Sequence, residues 1–396
     1  MSEEKSVQKY PDIVVVGASN MDLIANVPRL PLIGETLHGS SFSTGFGGKG
    51  ANQAAAAAKL GAKSMFIGKV GEDFFGKGMI ENLKSLDIDT TYFQSTSKAS
   101  SGVAPIFVDE DGRNAIVIVN GANDLITRED ILSAEHIIAH SKIMIVQLEI
   151  PIEISQFALE IAEKHGLVTI LNPAPVPAGN ATCTPECKVE SPIPFGLINA
   201  TSIVVPNEIE ALAMCGFNTT KEITIKGEAK ENEVSVAELH SKLHLLSKEA
   251  SSASSSSKPA STGKPFLKMS LVTLGSMGAS FALGDEESGG CSQPIYVSCP
   301  KVEKVVDTSG AGDCFIGAFA YFLSTILNQN HKDGETYYQT FCQLLKNPSL
   351  LSLCVQGGVI ISTNSVTHPG TQKSYPTAEV VKSLSLLPPP LLELLK

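Results

Sequence analysis

The chain has 396 residues, of which 43% are hydrophobic and 18% are charged. This balance is typical of a soluble globular protein and excludes a disordered chain, and the length allows one large α/β domain or two smaller ones. The formal net charge of −11 argues against a general nucleic-acid-binding protein, because such proteins neutralise phosphates with a basic surface. No uncharged apolar run reaches the roughly 18 residues of a membrane span, so no membrane partner is expected.

The first unit of the chain predicts a ligand-binding α/β fold. Residues 12–17, DIVVVG, form a continuous apolar run that ends in glycine, which is typical of a buried parallel strand. The polar stretch SNMD (19–22) follows where open α/β sheets bind ligands. The loop GFGGKG (45–50) then leads into an alanine-rich helix that ends at Gly61.

Strands and helices alternate along the rest of the chain. Further strands are predicted at 65–68, 102–108, 114–119, 143–148, 167–171, 202–205, 271–274 and 279–283. Helices are predicted at 76–86, 153–165, 207–215, 235–248, 311–327, 337–346 and 350–362. This order predicts an α/β three-layer sandwich, in which helices flank a mostly parallel central sheet.

Four segments are predicted to lie outside that sandwich. The strands 102–108 and 114–119, joined by DEDGR, read as a hairpin, and with 22–44 they form a small antiparallel β lid. Residues 178–196 have loop composition, and 248–265 are rich in Ser, Pro and Gly, which predicts a flexible insert. Residues 386–396 are predicted to be a C-terminal tail, because prolines stop the preceding helix.

The eight cysteines give little sign of a metal site. They lie at positions 183, 187, 215, 291, 299, 314, 342 and 354. No C-x-x-C pair occurs, and Cys183 and Cys187 have no histidine at zinc-site spacing. With no recognisable signal peptide, we expect reduced thiols in a cytoplasmic protein, and a nuclear location stays open.

The segment DTSGAGD (307–313) combines features of an anion site and a base. Its small residues let the backbone approach a ligand, and N–H groups at a helix N-terminus stabilise negative charge. Asp313, at the end of the loop, could accept a proton from a hydroxyl held beside it, as phosphoryl transfer to an alcohol requires. A tight turn with Asp313 as helix cap explains the same residues equally well.

Three further segments carry weaker signals. FGGKGANQ (46–53) offers close backbone approach and hydrogen-bonding side chains, but it is not a Walker A loop, and residues 17–22 are not a dinucleotide fingerprint. In NEIE (207–210) an amide and a carboxylate share a helix face and could organise Mg²⁺, although an ordinary capping box is the simpler interpretation. NSVTHPGTQKSYP (364–376) could offer free carbonyls to a monovalent cation, but a connecting loop explains it as well.

Together these motifs resemble a known family. GGKGANQ and DTSGAGDCFIGAF are similar to the two signatures of the ribokinase-like (PfkB) carbohydrate kinases, in the same order, and the resemblance covers 11–385 outside the two inserts. Strings such as PLIGETLHG, LNPAP and GTQKSYP favour the ribose kinases within it. Adenosine and ketodeoxygluconate kinases usually carry another residue at Lys49.

The resemblance implies ATP-dependent phosphorylation of D-ribose to ribose 5-phosphate, assisted by Mg²⁺ and K⁺. It implies that Asn20, Asp22, Gly48, Lys49, Asn52 and Glu149 bind the sugar. Gly310, Ala311 and Gly312 would form the anion hole, and Asp313 would be the base that contacts the acceptor hydroxyl. Asn207 and Glu210 would organise Mg²⁺ and the ATP phosphates, and Thr273, Gly275 and Gly278 would form the nucleotide loop. The implied K⁺ ligands are Asp307, Ser309, Ser365, His368, Gly370 and Ser374, several through backbone carbonyls.

The family also implies a homodimer formed through the lid. Ser309 departs from the Thr found in many relatives, a change that a backbone carbonyl ligand would tolerate. No polar partner for adenine is evident in 353–362. Other interpretations are a kinase for another sugar or nucleoside, such as 2-deoxyribose, fructose or adenosine, and a non-catalytic sugar sensor. The missing glycine fingerprint makes a Rossmann oxidoreductase a poor fit.

Overall fold

A computed structural model describes residues 10–176, 192–225, 229–230, 232–253, 267–285, 288, 290–383 and 387–395. The strands of the described residues are β1 (Ile13–Val16), β2 (Asn20–Asn26), β3 (Ser41–Gly47), β4 (Ser64–Gly71), β5 (Phe93–Thr96), β6 (Gly102–Val108), β7 (Asn114–Ile116), β8 (Ile143–Val146), β9 (Val168–Leu171), β10 (Ile203–Val204), β11 (Glu222–Thr224), β12 (Glu233–Ser235), β13 (Met269–Thr273), β14 (Gly278–Asp285), β15 (Gly290–Cys291) and β16 (Ile295–Ser298).

The helices follow the predicted alternation with the strands. They are α1 (Lys49–Lys59), α2 (Phe74–Ser85), α3 (Arg128–Ser133), α4 (Glu135–Ile138), α5 (Ile152–Lys164), α6 (Phe195–Asn199), α7 (Glu208–Met214), α8 (Val236–Ala253), α9 (Ala311–Asn330), α10 (Tyr337–Leu344), α11 (Pro348–Ser365), α12 (Ala378–Ser383) and α13 (Pro389–Leu394). Short 3₁₀ turns cover Gly121–Leu125 and Gly275–Met277.

The large sheet is mostly parallel, as expected. Its order is β15-β14-β13-β10-β9-β8-β1-β4-β5, and β16 pairs with β14. The pairs from β5 to β13 are parallel, and β14, β15 and β16 form an antiparallel margin. Val16 pairs with Val146, and Val146 pairs with Leu171, so β1, β8 and β9 end level with each other. The residues after these strands therefore meet at one edge of the sheet.

Helices cover both faces of this sheet and bury two separate hydrophobic clusters. Alternate side chains of β1 enter different clusters: Ile13 and Val15 join the first, Val14 and Val16 the second. This two-residue period is what a strand buried on both faces requires. The three-layer sandwich is confirmed.

Helices α1 and α9 approach each other closely within the first cluster. A Cβ atom on Gly317 of α9 would lie 2.6 Å from Cβ of Ala56 and within van der Waals overlap of the Gln53 carbonyl of α1. The alanine run of α1 and Gly317 of α9 therefore allow near contact between two helix backbones. Helix α9 has the length and hydropathy of a membrane span, but 78% of its most apolar 18-residue stretch is buried inside the protein.

A second, four-stranded sheet has the order β3-β2-β6-β7 and corresponds to the predicted lid. Its outer pairs are antiparallel, and β6 and β7 form the expected hairpin. The central pair departs from the prediction, because β2 runs parallel to β6. The chain crosses between them through α1, β4, α2 and β5, and such a long crossover permits parallel pairing.

The predicted inserts and tail differ in how far the structure describes them. Residues 178–191 of the first insert and 254–265 of the second lie outside the described residues. Residues 248–253, predicted to be flexible, form the end of α8, where Ala250 is buried. The segment 386–396 contains α13, whose Leu391 is buried. The phenol of Tyr321 donates a 3.0 Å hydrogen bond to the Leu394 carbonyl.

Candidate active site

The N-termini of α1 and α9 bring the two glycine-rich motifs together. Lys49 begins α1, and Asp313 lies in the first turn of α9. Asp313 is only 7% exposed, and both of its carboxylate oxygens accept hydrogen bonds from α1. The amide nitrogen of Asn52 donates to Oδ2 and that of Gln53 donates to Oδ1, each at 2.9 Å. These two bonds fix the plane of the carboxylate.

More side-chain amides surround this pair, and sequence reasoning missed them. Gln53 also donates to Oδ1 of Asn172 at 3.1 Å and accepts from Gln147 at 2.6 Å. Gln372 donates to Oδ1 of Asn52 at 3.0 Å. Gln53, Asn172 and Gln372 stand inside strings that the sequence had singled out, namely GGKGANQ, LNPAP and GTQKSYP. The chemistry was therefore visible in the sequence, but the pairing was not.

Lys49 sits among several carboxylates. Its backbone N–H donates to Oε2 of Glu149 at 2.8 Å. Burial alone would lower the pKa of the Lys49 ammonium, but Asp313, Glu149 and Glu210 together raise the pKa above its usual value. The structure thus gathers three sequence-predicted carboxylates around the positive charge of Lys49.

Asp22 carries a strongly perturbed carboxyl group in this site. Burial, reinforced by the charges of Glu149 and Asp313, raises the pKa of Asp22 to about 7. Its carboxylate lies against Gly47, where a Cβ atom would overlap it. Burial also raises the pKa of Glu149, opposed by Lys49. The site therefore holds more potential negative charge than its single lysine balances, which favours ligands that donate hydrogen bonds.

The side chain of Asn20 is held in place by Asn123, a residue that the sequence analysis did not select. The side-chain nitrogen of Asn123 donates to Oδ1 of Asn20 at 2.8 Å, and the backbone N–H of Ser19 donates to Oδ1 of Asn123 at 3.1 Å. Both asparagines are buried. Gly48, the residue that caps α1, packs against the backbone of Ser19 and Asn20. Asn20, Gly48 and Lys49 thus meet at the end of β1.

Gly310, Ala311 and Gly312 lead into α9 beside a cavity of about 190 Å³. Gly310 has a φ of 69°, and a Cβ atom there would overlap Thr371 and the Tyr375 hydroxyl, so only glycine fits. The first N–H groups of a helix have no intrahelical acceptor, and they can therefore bind an anion. The cavity is lined by Lys49, Asn172, Ala174, Val205, Asn207, Glu210, Thr273, Thr308, Gly310, Ala311, Gly312, Asp313 and Ile316.

A second cavity of about 310 Å³ adjoins the first and shares Asn207, Thr273, Ala311 and Gly312 with it. Gly275 and Gly278, predicted to bind nucleotide, line it. Phe315, Val359, Ser362, Thr363 and Cys299 form much of the rest. Cys299 was not selected from the sequence, and its sulfur lies 3.0 Å from Oγ1 of Thr363. The second cavity is large enough for a flat aromatic ring.

Asn207 and Glu210 form a capping box at the start of α7. Oδ1 of Asn207 accepts from the Glu210 N–H, and Oε2 of Glu210 accepts from the Asn207 N–H, both at 2.8 Å. This is the simpler interpretation that the sequence had offered. Burial nevertheless raises the pKa of Glu210, opposed by the Asn207 N–H and Lys49. The pair caps a helix and also faces the first cavity.

The two segments with the proposed K⁺ ligands are adjacent. Oδ1 of Asp307 accepts from the Ser309 N–H at 2.9 Å, and Oδ2 accepts from the Gly370 N–H at 2.8 Å. Burial opposes ionisation of Asp307, but these N–H groups hold its pKa below the usual value. The hydroxyls of Ser365 and Ser374 donate to backbone carbonyls and retain lone pairs. His368 is exposed, and its ring contacts Thr367 and the Asn364 carbonyl.

Comparisons with known proteins identify the family of the chain. The description of the pfkB family carbohydrate kinases matches residues 11–245 and 240–378. Deoxyribokinase of Salmonella typhi is 33% identical over 93% of this chain and 96% of its own length. Ribokinase of Mus musculus is 35% identical over 92% of this chain and 91% of its own length.

Solved structures share the fold. Ribokinase from Giardia lamblia superposes with a TM-score of 0.73 at 27% identity, covering 94% of this chain and 98% of that one. Arabidopsis thaliana ribokinase, complexed with ribose and ATP, has a TM-score of 0.67 at 27% identity and covers 98% of this chain and 99% of that one. The chain belongs to the pfkB family of carbohydrate kinases.

Proposed function

We propose that this protein transfers the γ-phosphoryl group of ATP to the 5-hydroxyl of D-ribose. The observation that carries the proposal is the position of Asp313. A carboxylate held by Asn52 and Gln53 lies in the first turn of α9, beside a cavity lined by Gly310, Ala311 and Gly312. A base and an anion-binding helix start thus face one cavity. Phosphoryl transfer to an alcohol requires that arrangement.

In the proposed reaction Asp313 accepts the proton of the sugar hydroxyl as the oxygen attacks the γ-phosphorus. The bond between that phosphorus and the β,γ-bridging oxygen breaks, and ADP leaves. The N–H groups at the start of α9 stabilise the charge on the phosphoryl oxygens. Lys49 adds a positive charge near the reacting groups. ADP and ribose 5-phosphate are the products.

The sugar is proposed to lie between β2 and the start of α1. Asn20, Asp22 and Glu149 offer acceptors for its hydroxyl groups, and Lys49 and Asn52 offer donors. A sugar presents several hydroxyl donors, which suits a site with an excess of carboxylates. Gly48 lets the ring approach the backbone.

ATP is proposed to span both cavities. Its phosphates would occupy the smaller one, near Asn207, Glu210 and Thr273, and its base the larger one, near Gly275 and Gly278. The Arabidopsis thaliana ribokinase structure contains ATP and that from Cryptococcus neoformans contains ADP. Glu210 is a carboxylate at the phosphate end, so its oxygens fit Mg²⁺, which shields phosphate charge when bound.

The oxygen-rich pair of segments is proposed to bind K⁺. The hydroxyl oxygens of Ser365 and Ser374 keep free lone pairs, and Oδ1 of Asn364 is buried without a donor among the described residues. The proposed ligands are Asp307, Ser309, Ser365, His368, Gly370 and Ser374. Asp307 and Gly370 would hold the loop before α9 in place.

The small sheet is proposed to be the dimer contact. Phe42, Ile116, Val117, Ile118 and Val119 are all exposed on β3 and at β7. A neighbouring set of exposed apolar side chains is typical of a protein–protein interface. We expect a homodimer in the cytoplasm.

The second candidate acceptor is 2-deoxyribose. Deoxyribokinases of Salmonella are as similar to this chain as several ribokinases are. The two sugars differ by one hydroxyl, so the acceptor depends on whether that hydroxyl has a partner in the site.

The test is ATP-dependent phosphorylation of D-ribose, 2-deoxyribose, fructose, adenosine and ketodeoxygluconate, each in K⁺ or in Na⁺. We expect the highest kcat/KM for D-ribose and a further increase in K⁺. A higher kcat/KM for 2-deoxyribose would overturn the acceptor and leave the mechanism intact. Ribose binding without turnover of any acceptor would favour the sugar sensor.

A further inference from the structure

Two runs of side-chain amides end at the Asp313 carboxylate. In the first run the nitrogen of Asn82 donates to Oε1 of Gln372 at 2.8 Å, and the nitrogen of Gln372 donates to Oδ1 of Asn52 at 3.0 Å. Asn52 then donates to Oδ2 of Asp313 at 2.9 Å. In the second run Gln147 donates to Gln53, which donates to Oδ1 of Asp313. Every amide in both runs has its donor on the side of Asp313.

The direction in which the first run donates its hydrogen bonds depends on which amide atom is nitrogen and which is oxygen, not on the shape of the side chains. An amide has nearly the same outline after its oxygen and nitrogen exchange places, but donor and acceptor are reversed. Gln372 and Asn52 each accept on the side-chain oxygen and donate from the side-chain nitrogen, so the orientation of each is set by its neighbours. Asn82, the first member, determines which atom Asn52 presents to Asp313.

The members of this run come from separate elements, which the fold holds in register. Asn82 is on α2, Asn52 on α1, Asp313 on α9, and Gln372 in the segment after α11. That segment is tied to α1, because the ammonium of Lys59 donates to the carbonyls of Gln372 and Tyr375, at 2.6 and 2.9 Å. Gln372 and Asn52 are each 5% exposed, so water does not compete for their hydrogen bonds.

We propose that Asn82 and Gln372 are positioning residues, which keep the amide of Asn52 turned so that it donates to Asp313. The inference deepens the proposed function, since it takes Asp313 to be the base. The run uses the Oδ1 atom and one N–H of Asn52, and the second N–H stays available to a sugar hydroxyl. Reversing the run would turn Oδ1 of Asn52 toward the Asp313 carboxylate and set two acceptors against each other.

The test compares two substitutions of Asn82. Asn82→Asp keeps the size of the side chain but replaces its donor with an acceptor, so Gln372 turns to donate to it and the run reverses. Asn82→Ala removes the donor without reversing anything. We expect kcat to fall about tenfold or more in Asn82→Asp and less than about threefold in Asn82→Ala, because a lost hydrogen bond to a charged group has roughly this effect.

That order distinguishes the proposal from a packing role. If Asn82 served only to fill space, the isosteric Asn82→Asp would be the milder change. Lys84→Gln is the matched control, because it shifts the net charge by the same amount at an exposed position on the same helix. We expect near-wild-type kcat for this variant. Equal kcat in the two Asn82 variants, or an equal loss in Lys84→Gln, would overturn the proposal.

A double-mutant cycle tests Gln372 as the link. Gln372→Met fills the same space and cannot transmit orientation, so Asn82→Asp should cause no further loss of kcat in this background. Additive losses would show that Asn82 acts by another route. The pH at half-maximal kcat on the acidic side should rise in Asn82→Asp and stay unchanged in Lys84→Gln, a shift that loose packing alone would not produce.

The assay uses whichever sugar the wild type phosphorylates fastest, so failure of D-ribose as acceptor leaves this test intact. A wild type that phosphorylates no sugar would overturn the proposed function instead. The run is then assessed from hydrogen exchange of the Asn52 side-chain amide. We expect protected exchange in the wild type and in Lys84→Gln and faster exchange in Asn82→Asp, and equal exchange in all three would overturn the inference.

Discussion

The phenol of Tyr375 donates a 2.9 Å hydrogen bond to the carbonyl oxygen of Gly310, the residue that caps α9. Burial raises the pKa of Tyr375 well above its usual value, and the nearby Asp313 raises it further. The hydroxyl therefore stays protonated, and remains a donor, at neutral pH. One side chain from the proposed K⁺ segment thus fixes the backbone from which the proposed anion hole begins.

We predict that Tyr375→Phe lowers kcat by about three- to tenfold and the free energy of unfolding by about 1 kcal/mol, the usual value of one buried hydrogen bond. The Gly310 carbonyl would keep its bond from the Cys314 N–H, so the helix start should loosen without unfolding. Steady-state kinetics and urea unfolding measure the two effects. Tyr10→Phe, remote from the site, is the control, and an equal loss in both variants would contradict the prediction.

Asp313→Asn should keep sugar and ATP affinity and lower kcat by about two to four orders of magnitude, the usual range for a lost general base. The shape of the side chain is retained, but its proton acceptor is gone. Calorimetric titration measures binding, and a coupled assay measures turnover. The exposed Asp333→Asn serves as control. A near-normal kcat in Asp313→Asn would show that another group takes the proton.

Asp22 makes stability depend on pH. Its pKa is about 7 in the folded protein, whereas its ordinary value is 3.8. Between these values Asp22 binds more protons in the folded state than in the unfolded state, so its contribution to stability falls as pH rises from about 4 to 7. Asp22→Asn should remove this slope and raise the free energy of unfolding above pH 7 by about 1 kcal/mol or more.

The control for Asp22 lies outside the site. Burial raises the pKa of Glu163 on α5 to about 7, and the charge of Glu160 makes a smaller contribution in the same direction. Glu163→Gln should make the free energy of unfolding less dependent on pH over the same range but leave sugar affinity unchanged. Asp22→Asn should weaken sugar binding. Urea unfolding across pH and calorimetry separate the two. Unchanged sugar affinity in Asp22→Asn would exclude Asp22 from the sugar site.

His240 and His244 should make the protein sensitive to acid. Both are buried, and both contact Oγ of Ser270, at 2.6 and 3.0 Å. Burial lowers the pKa of His240 to about 3 and that of His244 to about 4, from 6.5. Between these values and 6.5 the two histidines bind more protons in the unfolded state, so their contribution to stability is full above about pH 6.5 and falls as the pH is lowered.

Replacing one of these histidines should reduce that acid sensitivity. We expect His240→Gln to unfold at lower urea concentration than the wild type at neutral pH and to lose less stability between about pH 7 and 5. The exposed His38→Gln should keep the wild-type slope. An unchanged slope in His240→Gln would mean that His240 is not buried in its neutral form.

The alkylation rate of Cys299 can be used to test whether ATP binds in the larger cavity. It is a half-buried free thiol on the cavity wall, next to Thr363. ATP in that cavity should slow alkylation of Cys299 by iodoacetamide several-fold, and mass spectrometry of the labelled peptide measures the rate. Cys342, half-buried on α10 and outside both cavities, provides the internal control. Equal protection of both thiols, or of neither, would argue against nucleotide binding there.

The sequence predicted most of the fold because its signals are local. Continuous apolar runs marked β1 and β8, and the glycine loops marked the starts of α1 and α9. The parallel pairing of β2 with β6 was missed, since strand direction depends on a crossover of many residues. The end of α8 was missed because its buried face continues through Ser247 and Ala250, which are too small to stand out in hydropathy.

The sequence predicted the residues of the site better than the hydrogen bonds between them. Asp313, Lys49 and Asn52 stand in recognisable motifs, and the structure brings them together. Gln53 and Gln372 bond to Asp313 and Asn52 across 260 and 320 positions of the chain. No local pattern encodes such distances. The pKa of Asp22 likewise depends on burial and on the charges of Glu149 and Asp313, which lie far from it in the sequence.

The close contact between α1 and α9 has a consequence for how this protein tolerates mutation. Ala56 and Gly317 set the separation of the two helices, and the same helices carry Asn52, Gln53 and Asp313. A single methyl group added at Gly317 would push the two helices apart one turn from Asp313. Substitutions that separate α1 from α9 would then abolish activity before they unfold the protein. The loops around the sugar could vary in sequence while this helix pair stayed unchanged.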